Sequence, residues 1–101
     1  GGENLRPTGE GGKERLHPAL FTLALACARD LNALTNSRRL KRLYEELGVV
    51  IGERQLRNHV RWLLEREFII IYVSRWGPRV QLTEKAFKLL RSLGLLREVR
   101  A

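Results

Sequence analysis

The chain has 101 residues, enough for one small domain around one core. Its hydrophobic content of 44% lies in the globular range, no apolar run approaches the ~20 residues of a membrane-spanning helix, and no signal-peptide pattern opens it. The net charge of +8, from fifteen Arg and four Lys against eleven acids, directs attention to anionic partners: nucleic acid, a membrane surface or an acidic protein.

The single cysteine, Cys27, cannot form an internal disulfide, so a reducing, cytoplasmic setting is expected. Lying inside an apolar run, it reads as a small buried hydrophobe. Abundant arginine without methionine also fits a thermophilic source. Gly1 and Gly2 read as a cloning scar or a processed end, and the chain as a piece of something larger.

Residues 1–15, GGENLRPTGEGGKER, are rich in Gly and charge and read as a flexible tail or linker. The folded domain is expected over 16–94, with 95–101 as a C-terminal tail. A first helix is predicted from Pro18 to about Leu31, with Pro18 at the first helical position. It is apolar on most faces (Leu20, Phe21, Leu23, Ala24, Leu25, Cys27, Ala28, Leu31) and expected to be central to the core. Thr22 within it is expected to bond a carbonyl of the preceding turn.

The stretch TNSRRLKRLYEELG, 35–48, opens a second helix. Thr35, Asn36 and Ser37 offer N-caps, Leu40, Leu43, Tyr44 and Leu47 form its apolar stripe, and Gly48 ends it. Arg38, Arg39, Lys41 and Arg42 crowd its first turns, against the helix dipole, so helix stability alone does not account for them. Val49, Val50 and Ile51 are expected to tuck beneath the helices.

The third helix, from Glu53 to about Glu67, gathers Leu56, Val60, Leu63 and Leu64 on one side and Arg54, Arg57, Asn58 and Arg61 away from them. A solvated face more often mixes signs along its length. FIIIYVS (68–74) is β-branched and aromatic and reads as a strand, RWGPR (75–79) as a turn through Gly77-Pro78, and VQL (80–82) as a returning strand. Thr83 caps a fourth helix over Glu84 to Leu93, with Leu82 and Phe87 placed for a hydrophobic staple. The expected class is mainly α with a small β-hairpin, α+β, in the order α-α-α-β-β-α.

RRLKRLYEELG, then RQLRNHVRWLLEREFI, then the hairpin, then VQLTEKAFKLL together resemble the winged helix-turn-helix family over residues 18–94. The resemblance implies a duplex-DNA-binding module, most simply a transcriptional regulator, with helix 53–67 in the major groove and hairpin 68–82 as wing. Arg54, Arg57, Asn58 and Arg61 would then face DNA, where Arg and Asn make bidentate contacts with base edges. Arg38 and Arg39 would meet phosphates, and Arg75 and Arg79 phosphates or a narrow minor groove. Gly52 stands where family members often place a Ser or Thr cap, and the connection before the third helix is slightly long.

Two other readings stand beside this one. The start HPAL and the helix RLYEELG loosely resemble the C-terminal winged helix of archaeal origin-recognition replication initiators. Many winged helices also serve as protein-interaction modules. A homodimer through Leu93, Leu95, Leu96 and Val99 against the partner's first helix is a further expectation. Trp62 reads as a packed boundary residue. Trp76 would stack on a base, cover the hairpin or meet a partner. His17 and His59, far apart in sequence, lack companions at metal spacing, and no phosphate loop or nucleophile–base set is evident. No metal, cofactor or enzymatic activity is expected.

Overall fold

The computed structural model describes residues 17–95. Among them run helix α1 (Pro18–Arg29), a 3-10 turn (Leu31–Thr35), helices α2 (Ser37–Glu46) and α3 (Glu53–Glu65), strands β1 (Ile69–Ser74) and β2 (Gly77–Leu82), and helix α4 (Glu84–Ser92). The class and element order expected from the sequence are those observed. The 3-10 turn was not foreseen: α1 stops at Arg29, and Asp30 in extended backbone separates it from Leu31–Thr35.

The ends of the helices follow from local chemistry. Pro18 occupies the first position of α1, and His17 before it accepts the Ala19 N–H through Nδ1 at 3.0 Å. Asn36 is the one of three candidate caps that is used on α2; its Oδ1 accepts from Arg38 N and Arg39 N. Past α2, Gly48 takes a left-handed backbone (φ +79°), letting Val49 N–H reach back to the Tyr44 carbonyl. The same device ends α3 without a glycine: Glu67 sits at φ 61° and Phe68 N–H returns to the Leu63 carbonyl. Helix three is thus two residues shorter than Glu53–Glu67. Thr83 caps α4 by accepting from Ala86 N, as its position predicts.

The core lies between α1, α2 and α3, closed below by the start of the hairpin and by α4. Leu20 and Leu23 of α1, Leu40 of α2, Leu56 and Leu63 of α3, Phe68, Ile69 and Leu90 are all essentially removed from water. Removing such side chains from water is the main favourable contribution, each about 1.5–3 kcal/mol. Thr22 is also fully buried, but its hydroxyl does not turn back to its own helix. Its Oγ1 lies 2.5 Å from Tyr44 Oη on α2 and 2.8 Å from His59 Nδ1 on α3. One hydroxyl therefore ties three helices and supplies a partner to Tyr44 Oη and His59 Nδ1.

The hairpin is antiparallel, pairing Ile69 with Leu82, Ile71 with Val80 and Ser74 with Gly77. The reversal is made by Arg75 and Trp76, two residues earlier than Gly77-Pro78 suggested. Gly77 supplies the positive φ of 111° that the first residue after the turn needs. Ile69, Ile71, Val80 and Leu82 form the inward face, while Ile70, Tyr72, Arg79 and Gln81 form the outer one. β2 leans on the 3-10 turn, where Val80 N–H donates to Asn32 Oδ1 at 2.9 Å.

One further expectation fails. Val49 and Val50 do not tuck under the helices; they are 40% and 91% exposed, and only Ile51 packs partly against the core. Closing α2 at Gly48 turns the next residues outward, and Ile51 alone lies where the chain re-enters. Residues 1–16 and 96–101 lie outside the described residues; they include the expected N-terminal tail, all of the C-terminal tail but Leu95, and Leu96 and Val99 of the expected dimer surface.

Candidate nucleic-acid interface

The eight side chains singled out from sequence are all exposed: Arg38, Arg39, Arg54, Arg57, Asn58, Arg61, Arg75 and Arg79. Their supports differ. On α3 the inward positions are Leu56, His59 and Leu63, with Val60 and Trp62 half-buried at the margins. Arg54, Arg57, Asn58 and Arg61 fall opposite by helical period, on one outer face. Leu64, expected inward, is 39% exposed at the rim; buried His59 takes the inward place instead.

The first turns of α2 and α3 are joined by Ser37 Oγ, which donates to Glu53 Oε1 at 3.3 Å. That contact brings the first turn of α2, which carries Arg38 and Arg39, to the first turn of α3, which carries Arg54. Arg75 belongs to the hairpin turn, and Arg79 to the outer face of β2 opposite Tyr72. The structure thus brings the α2 and α3 residues together, and holds the two hairpin arginines on a separate projection.

Ion pairing divides the arginines further. Arg39 is held by Asp30, and Arg29 meets Glu46 at 2.7 Å. Arg57 meets Glu53 only at 3.9 Å, with both side chains well exposed. Arg38, Arg54, Arg61, Arg75 and Arg79 form no ion pair with any described residue. Arg75 instead lies over the Trp76 ring, 5.6 Å from its centroid. From Phe68 to Thr83 the chain has no acidic residue at all.

Behind this face lies a polar and aromatic layer that no sequence period signals. Trp62 packs as expected of a boundary residue, stacked at 3.9 Å on His17 and at 5.7 Å on Phe68, with the Arg66 guanidinium 5.0 Å from its ring. His17 and His59, 42 positions apart, meet edge-on at 6.4 Å. Burial lowers the pKa of both, reinforced at His17 by Arg66 and at His59 by His17. His17 must be neutral at Nδ1 to accept the Ala19 amide. Burial likewise raises Tyr44, against the pull of its bond to Thr22. It pushes the Cys27 thiol up to about 11, so Cys27 is a protonated thiol at neutral pH.

Among the described residues no three His, Cys, Asp or Glu side chains gather to hold a metal ion. No described helix is long and apolar enough to cross a membrane. Comparison with protein-family models, curated proteins and solved structures finds no match to this chain.

Proposed function

We propose that this domain is a winged helix that binds duplex DNA, with α3 laid in the major groove and the hairpin as wing, most simply within a transcriptional regulator. The observation that carries the reading is the set of exposed arginines without a carboxylate partner among the described residues, Arg38, Arg54, Arg61, Arg75 and Arg79, spread over α2, α3 and the hairpin. Cations left free of internal pairs are available to phosphate, and the outer face of α3 adds Asn58 and Arg57 for base edges. The Thr22–Tyr44–His59 link supports it further, because it holds α3 rigidly against α1 and α2 and so fixes which side chains project.

The test is a titration of labelled duplex by anisotropy at increasing salt. With six to ten phosphate contacts, affinity falls by about 10³–10⁵ between about 50 and 200 mM salt. Arg57→Ala is expected to cost about 1–3 kcal/mol on a selected site and less on random duplex. Arg79→Ala is expected to weaken both alike and to shallow the salt slope by about one unit. A flat salt response removes the DNA reading.

A second reading, a protein-interaction module, draws on a different observation. Val50, Val73 and Trp76 are 91%, 84% and 79% exposed, and solvated apolar groups on this scale suit a protein contact better than a phosphate one. Absence of duplex binding at low salt would favour it.

A further inference from the structure

The two edges of the hairpin are treated differently. The far edge of β2 is covered, because Val80 N–H is taken by Asn32 Oδ1 from the 3-10 turn. Among the described residues β1 pairs only with β2, and none of them pairs with its other edge. The Asn32 bond also fixes the parity of the ladder. Val80 N–H points away from β1, so Ile71 and Val80 are a pair without mutual hydrogen bonds; by alternation so are Ile69 with Leu82 and Val73 with Pro78. The bond from Thr83 N–H to the Phe68 carbonyl, 3.1 Å, agrees with that parity. Pro78, which has no N–H, accordingly sits where the ladder needs none.

Ile69, Ile71 and Val73 therefore turn their own N–H and C=O groups outward along that edge. Such edges are normally guarded by charge, proline or a bulge. β1 has none of these: its register is unbroken and residues 68–74 carry no charge. Ile70 and Tyr72 on its outer face are 50% and 46% exposed, and Val73 near the tip 84%.

We propose that β1 pairs antiparallel with β1 of a second copy of this chain, centred on Ile71, joining two hairpins into one four-stranded sheet across a twofold axis. The occupant follows from self-complementarity. Centred there, Ile71 meets Ile71, Ile69 meets Val73, and every outward donor faces an outward acceptor. Ile70 lies opposite the partner's Tyr72 on the outer face, an aromatic–β-branched pair. Glu67 and Arg75 lie just beyond the two ends of β1, equally far from Ile71, so each end of the seam carries an acid of one copy and a base of the other. Each copy offers one such edge, so the assembly closes at two. Both copies are strongly cationic, so added salt tightens this pairing, whereas it weakens any binding to DNA.

The experiment is sedimentation equilibrium of the full chain without DNA, from micromolar to millimolar protein at two salt concentrations, with thermal melts of every variant. The wild type is expected to dimerise. Ile70→Lys with Tyr72→Lys sets like charges across the seam and is expected to raise the dissociation constant about tenfold or more. Ile70→Lys with Tyr72→Glu sets opposite charges there and restores the dimer. Val73→Pro removes one outward N–H that the ladder to β2 does not use, and weakens association while the domain stays folded. A wild type monomeric throughout, a species larger than a dimer, a Lys/Lys variant that associates as well as wild type, or a Lys/Glu variant that stays monomeric would each overturn the pairing. None of these outcomes bears on duplex binding, which is read separately.

Discussion

The helical bundle and the hairpin are built from similar apolar residues and dispose of them in opposite ways. In the bundle, Leu20, Leu23, Leu40, Leu56 and Leu63 are at or near zero exposure, and even a threonine, a tyrosine and a histidine are taken inside and hydrogen-bonded to each other. In the hairpin, only the inward side of the two strands is covered, while Ile70, Tyr72, Val73 and Trp76 stand in solvent. Folding accounts for the first set and gains little from the second. Apolar side chains that contribute little to the fold but lie on one projection are explained by what they meet, and that separates the part of the sequence that makes the domain from the part that uses it.

Paired truncations give the widest contrast between the regions. Phe68 is wholly buried, between the Trp62 ring and Lys85 Nζ, which lies 4.7 Å from its centroid. Phe68→Ala is expected to cost about 3–5 kcal/mol, enough to leave a small domain largely unfolded. Val73→Ala, a few residues further on, is expected to shift stability by less than about 0.5 kcal/mol. Chemical denaturation of the two variants measures both. Comparable losses would mean that the hairpin tip is part of the core and would undo the distinction drawn above.

Within the bundle, the hydroxyl of Thr22 offers a finer cut. Thr22→Val keeps the shape but removes the atom shared by Tyr44 and His59, leaving two buried polar groups without it. The expected cost is about 1–3 kcal/mol in denaturant midpoints at unchanged m value. On the DNA reading, the same change loosens α3 and lowers the discrimination between selected and random duplex more than it lowers the salt slope.

Most of the secondary structure was legible because it rests on local signals. Pro18, Asn36, Gly48 and Thr83 mark boundaries by chemistry that acts within a few residues, and the arginine face of α3 follows from a helical period. What escaped depends on distant partners. Nothing near Thr22 announces Tyr44 and His59, 22 and 37 positions away, so a back-bond to its own helix was the natural local expectation. His59 shares the helical face of Leu56 and Leu63, but only the bond to Thr22 on another helix shows how its ring is held there. The hairpin turn lies two residues before Gly77-Pro78, which is a strong turn signal in isolation. In the fold, the glycine is used for its φ after the turn, and the proline where no ladder bond is lost. The exposed arginines were visible in sequence as a charge pattern; that five of them have no ion-pair partner among the described residues required the positions of Asp30, Glu46 and Glu53.

The smallest effect expected is a pH dependence confined to the bundle, and its sign is fixed by the two histidines. Both His17 and His59 have pKa values lowered below the ordinary 6.5, chiefly by burial. In the unfolded chain each takes up a proton as pH falls through about 6.5, while in the folded domain each resists it. The unfolded state thus binds more protons in that window, and stability rises with pH there. The contribution is fully present above about 6.5 and is lost progressively as pH falls towards the lowered folded values. Structure gives the loss a location. A proton on His17 Nδ1 displaces the Ala19 amide from the α1 cap, and a second on His59 sets two cations edge-on beside Arg66. Thermal melts between pH 8 and 5 are expected to show a midpoint flat above about 7 and falling below about 6.5. Over this range most carboxylates stay ionised, so the histidines dominate the change. His17→Asn keeps a capping acceptor without a titrating group, and is expected to reduce the slope while leaving the neutral-pH midpoint little changed. The hairpin has no histidine, so self-association through β1 is expected to show no such step across the same range. A midpoint that rises on acidification would mean that these histidines are charged in the folded domain, and that the layer behind α3 is open to water rather than packed.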